Sequence, residues 1–138
     1  MTKTGQQIED DIFSLLKESE LKLFVGGGLY KYGTRPYKST SEDIIVKFVT
    51  ALDDEVQEGV VVVNIYVPDI DAHDSGSHIK DIPRCKQIEI KANEWIKSLT
   101  ADKSDYLFSL SQSIYTEQEA DINQHFITVR LKFKILTN

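Results

Sequence analysis

From Ile127 to Ile135 the sequence alternates without a break. Ile127, Val129, Leu131, Phe133 and Ile135 fall on one side; Thr128, Arg130, Lys132 and Lys134 fall on the other. A period of two marks a strand with one buried face. A strand of that kind needs neighbouring strands and a layer of helices to cover its apolar side. Val60–Val67 predicts a second strand, with faces Val61, Val63, Ile65, Val67 and Val60, Val62, Asn64, Tyr66. Both faces are largely apolar, which predicts a central strand covered on two sides. Pro68 ends it, because proline has no N–H to donate to a ladder. Residues 42–52 predict a third strand, with Ile44, Val46 and Phe48 opposite Ile45, Lys47 and Val49. Tyr106, Phe108, Leu110 and Ile114, alternating with Ser109, Ser111 and Ser113, predict a fourth. Thr116 to Asn123 then reads as the connection to the last strand, and the acidic stretch 53–59 as a turn.

Two segments have helical spacing. Ile8, Ile12, Leu15 and Leu16 share one face over residues 5–18, with Phe13 widening the stripe. Thr4 and Gln7 have the form of a capping box. The outer face is read as Glu9, Asp10, Lys17 and Glu18. Cys85, Ile88, Ala92, Trp95, Ile96 and Leu99 mark the second helix, with Asp81 as its cap and Pro83 in its first turn. Between the first helix and the strands, Leu21–Val25 and Leu29–Tyr32 flank Gly26-Gly27-Gly28 and predict a small hairpin. The predicted order is α-(β hairpin)-β-β-α-β-β. This is an α+β fold, two helices packed on one side of a mostly antiparallel sheet. The 138 residues read as a single domain, 1–138.

Composition narrows the class of function. The longest apolar run, Val60–Val63, is far short of the ~20 residues of a membrane span. Residues 1–11 are polar, which predicts no secretory leader and a cytoplasmic protein with no membrane partner. One cysteine forms no internal disulfide. A net charge of −6 argues against a sequence-specific nucleic-acid partner.

Five features have residue types that do chemistry. Asp69, Asp71, His73 and His78 gather metal-ligating groups in one loop, Asp69–His78, and raise a metal-dependent hydrolase as an alternative. The loop lacks the distal glutamate of a calcium loop, and Ser75 and Gly76 keep the two histidines off a shared helical face. Gly26-Gly27-Gly28 is followed by Leu29-Tyr30-Lys31-Tyr32, not by the Lys-Ser/Thr and helix of a phosphate loop. Cys85 falls on the apolar stripe of its helix and reads as core. Glu42 and Asp43 are adjacent in a strand, so they point to opposite faces and suit ion pairs better than shared acid–base work. Arg130, Lys132 and Lys134 form a basic stripe. Beside Tyr106 or Tyr115 such a stripe suits a single nucleic-acid strand, but at this net charge it better suits the acidic segment around Asp53, Asp54, Glu55 and Glu58 of a neighbouring copy. No catalytic motif emerges.

One stretch carries more than pattern. Tyr32-Gly33-Thr34-Arg35-Pro36 leads through Ser39 and Ser41 into Glu42-Asp43-Ile44-Ile45-Val46. Gly59-Val60-Val61 then runs into Val63-Asn64-Ile65-Tyr66-Val67-Pro68-Asp69. This resembles the first half of small bacteriophage tail-terminator proteins, also called tail-completion or neck proteins, including prophage copies. The later helix and the end of the chain, with His125-Phe126-Ile127-Thr128-Val129-Arg130, follow the same order. The resemblance implies an α+β structural protein with no cofactor and no turnover. It implies assembly with itself into a ring, typically a hexamer, that meets tail-tube and head-connector proteins. It implies a cytoplasmic protein during assembly, carried into the virion of an active phage. On these positions it implies that Gly33, Arg35 and Pro36 shape an interface loop with Glu42 and Asp43 at its base. Arg130 and Lys132 are expected at the subunit or tube interface. A monomeric protein-binding module that uses an exposed sheet edge is the third reading.

Overall fold

A computed structural model of the chain describes residues 2–71, 73–100 and 105–136. The first helix, α1, spans Gly5–Lys17. Its capping box is present: the Gln7 amide donates to Thr4 Oγ1 at 3.3 Å and the Thr4 amide donates to Gln7 Oε1 at 2.8 Å. Ile8, Ile12 and Leu16 are fully buried. A short helix follows, α2, Glu20–Phe24, and then strand β1, Leu29–Lys31. Strands β2, Ile44–Leu52, and β3, Val56–Pro68, form a long hairpin. Helix α3, Ile82–Thr100, leads into β4, Tyr106–Leu110, β5, Tyr115–Glu119, and, after a 3-10 turn, β6, Gln124–Leu136.

The six strands make one sheet in the order β1-β2-β3-β6-β4, with β5 also paired to β6. Among the described residues, only β1 pairs parallel; the other strand pairings are antiparallel. The helices pack on one face. There Val46, Val61, Val63, Ile65, Ile127, Val129, Leu131 and Phe133 meet Ile8, Ile12, Ile88 and Ala92 in one core. The α+β class and the helices-on-sheet arrangement are those the hydrophobic pattern predicts.

The structure differs from that reading at five places. Leu21–Val25 is no hairpin arm. Ser19 Oγ accepts from the Lys22 amide at 3.1 Å and starts one helical turn, while β1 crosses to pair with β2. Five residues are too few to display a helical period. The 53–59 turn is shorter than expected, since β3 already pairs with β6 from Val56↔Leu136 onward. The fourth strand does not run through to Ile114. Residues 111–114 stand opposite only Val129 and Arg130, and pairing resumes at Tyr115↔Thr128. Part of the predicted 116–123 connection is therefore a polar edge strand. Glu9 is not on a solvated face: it is 7% exposed, and Oε2 accepts from the Phe48 amide at 3.0 Å, beside the register shift between Phe48 and Thr50. Finally, β3 is central, but the helices cover one side only. Val61, Val63 and Ile65 are fully buried, whereas Val60, Val62, Asn64 and Tyr66 on the other face stay half-buried.

Candidate functional site

The segment between β1 and β2 turns at Gly33, whose φ of 88° is a left-handed value that favours glycine. A second turn follows, the Ser39 amide donating to Pro36 O at 3.2 Å. Arg35 then points back to the sheet. Its Nε donates to Asp43 Oδ2 at 2.9 Å and its Nη2 to Gln124 Oε1 at 2.8 Å. Its guanidinium lies 4.1 Å from the centre of the Tyr66 ring, a cation–π contact. Asp43 is 1% exposed and fully engaged: Ser39 Oγ donates to it at 2.5 Å and the Gly28 amide at 2.8 Å. Gln124 closes the network by donating to Ser39 O at 2.8 Å. Burial alone would push the Asp43 carboxyl up, but the Ser39, Arg35 and Gly28 donors outweigh it and hold it below the usual carboxylate range.

Glu42 faces the other way; it and Asp43 immediately precede β2, which begins at Ile44 and not at the expected residue 42. Arg84, from the first turn of α3, holds it in a two-pronged contact: Nε to Oε2 and Nη2 to Oε1, both 2.7 Å. The same Nη2 donates to Phe24 O at 2.8 Å, so one side chain joins α3, the end of α2 and the start of β2. The Arg84 hydrogen bond holds the Glu42 carboxyl below its ordinary value. Gly33, Arg35, Pro36, Glu42 and Asp43 thus lie together, with each carboxylate held by an arginine of its own chain. Asp43 is the charged strut that holds the 33–41 loop, and Glu42 ties α3 to the segment before β2. The loop leaves Tyr37 90% exposed to solvent.

Sequence reasoning missed Arg84, Tyr66 and Gln124, which lie 31 to 89 residues from the groups they complete. The one local signal was the pair of adjacent carboxylates, Glu42-Asp43, just before a strand.

Arg130 and Lys132 lie on the sheet face away from the helices. Cross-strand pairing sets Lys47, Val62 and Arg130 in one row, and Thr50, Val60, Lys132 and Ser109 in the next. Lys47 is a cation that the strand reading had not joined to the stripe. Tyr106, once grouped with the stripe, points to the core face instead, and its hydroxyl donates to Asp11 Oδ2 at 2.6 Å.

The Asp69–His78 loop does not gather its groups. Asp69 Oδ1 sits 2.6 Å from Nδ1 of His125, on β6. Asp71 accepts from the Ser75 and Gly76 amides at 3.0 and 2.7 Å, which hold its carboxyl below the usual range. Ala72 of this loop lies outside the described residues. Among the described residues, no three His, Cys, Asp or Glu side chains converge as metal ligands. Cys85 is 2% exposed, and burial pushes its thiol up. No described helix is long and apolar enough to cross a membrane.

No protein-family model matches this chain, and no curated protein matches its sequence.

Proposed function

We propose that this chain is a structural assembly protein of a phage or prophage tail, closing a homo-oligomeric ring at the tail end or head–tail junction. One observation carries the reading beyond the resemblance of residues 28–69: the helices cover one face of the sheet, while the other is covered by Arg35 near Tyr66 and Gln124 and has no helix over Val60 and Val62. The other face keeps Val60 and Val62 half-exposed between Lys47, Arg130 and Lys132. A sheet with a mixed apolar and basic open face suits a subunit that completes its burial against another protein. In a closed ring that protein is another copy. Gly33, Arg35, Pro36, Glu42 and Asp43 keep the 33–41 loop in shape at the assembly surface. Tail-tube and head-connector proteins are the further partners. The work is mechanical and needs no cofactor. The hydrolase reading has less support, because Asp69 and Asp71 each have a partner other than a shared ion.

Electron microscopy of the purified protein, alone and mixed with tail-tube protein, tests the reading. Rings of one diameter, or caps on tube ends, are expected. Uniform monomer-sized particles in both samples contradict it.

A further inference from the structure

We propose that the open face of the sheet receives the acidic β2–β3 turn of a second copy of this chain. The inference rests on the ring reading and names the surfaces that meet. Three adjacent rows build the receiving face. The first is Lys47, Val62 and Arg130; the second Thr50, Val60, Lys132 and Ser109; the third Leu52, Glu58, Lys134 and Leu107. Four cations and one carboxylate surround two β-branched apolar side chains. Lys47 and Arg130 flank Val62 from two strands apart, about 10 Å at ordinary strand spacing. None of the four cations makes an ion pair with a described residue.

The inserted element has the complementary chemistry. Asp53, Asp54 and Glu55 are all exposed and follow Leu52, which is 72% exposed. The turn lies beyond the last β3–β6 pair, Val56↔Leu136, at the end of the sheet. From there it can reach a neighbour. The carboxylates supply partners for the lysines and Arg130. A whole-molecule charge of −6 makes two copies repel at long range. Attraction must therefore be local, and it fixes register. The donor turn and receiving face are different surfaces, so the contact is head-to-tail, the kind that closes rings.

Sedimentation velocity on four samples tests this: the wild type, Lys47→Glu/Lys132→Glu, Asp53→Lys/Asp54→Lys, and an equimolar mixture of the two variants. Circular dichroism confirms that each is folded, and Lys132→Gln serves as a milder face variant. The wild type is expected to associate, less so at high salt. Each variant alone should need at least tenfold more protein to associate, and the mixture should recover, because reversed face then meets reversed turn. If both variants associate like the wild type, or the mixture behaves like its components, the inference falls while the ring reading stands. A wild type that stays monomeric throughout overturns both. A single-stranded oligonucleotide that binds the wild type but not the face variant, with association equal in the two, gives the face to nucleic acid and overturns the inference.

Discussion

Asp43 and Arg35, eight residues apart, meet as a nearly buried ion pair, with side chains 1% and 15% exposed and Nε 2.9 Å from Oδ2. The pair fastens the 33–41 loop to the start of β2, and Gln124 fastens it to β6. Removing one partner strands the other charge away from water. Asp43→Ala should therefore cost about 3 kcal/mol. Arg35→Lys should recover little, because lysine has no planar fork to reach Asp43 and Gln124 together or to lie flat on Tyr66. Urea unfolding measures the loss, and proteolysis within 33–41 should quicken in both variants.

The two held carboxylates predict how stability changes with acid. Glu42 and Asp43 both lie below their ordinary values of 4.5 and 3.8 in the folded chain. A depressed carboxylate contributes stability that is present above its unfolded value and lost as pH falls through its folded one. Stability should thus hold above about pH 5 and drop steadily as pH falls through and below 4.5 to 3.8. Denaturant titrations at successive pH values test this. Asp43→Asn should be less stable at neutral pH and should flatten the acid slope.

Gly27 is required by a close approach. A Cβ there would stand 2.4 Å from the Glu42 backbone and 2.6 Å from Asp43 Oδ1. Gly27→Ala should destabilise by roughly 1–3 kcal/mol, since backbone must move to admit the methyl. Gly26→Ala, where a Cβ would meet nothing within 4 Å, is the matched control and should be nearly neutral. Thermal melts of the two variants decide it.

Glu9 satisfies an amide on the β1 side of β2, left without a ladder partner because β1 ends at Lys31 opposite Val46. Glu9→Ala should leave the Phe48 N–H unsatisfied and cost about 1–3 kcal/mol. Glu9→Gln keeps an acceptor and should cost less. Hydrogen exchange at Phe48 provides a local reading: it should speed up in the alanine variant.

What the sequence made legible was periodic. Ile127–Ile135 and Val61–Val67 declared the two long central strands, and Thr4 with Gln7 and Asp81 with Pro83 marked where helices begin. What it hid was either short, polar or distant. Leu21–Phe24 is too brief to show a period. Tyr115–Glu119 lies on a sheet edge, where its polar side chains meet water and no alternation is imposed. The parallel pairing of β1 depends on a crossover, which local pattern does not encode. The 33–41 loop and Glu42-Asp43 were visible as a unit, but Arg84 and Gln124 were not, because only the folded chain brings them near. Glu9 looked solvated because the Phe48 amide it serves lies 39 residues away.

The central claim is that this chain assembles with itself through what its helices leave uncovered. Absolute mass by light scattering behind a sizing column, over a wide concentration range and at two salt levels, tests it most directly. The account predicts a discrete species several times heavier than the 15.7 kDa chain, favoured by concentration and weakened by salt. A 15.7 kDa species at every concentration and both salt levels would contradict it.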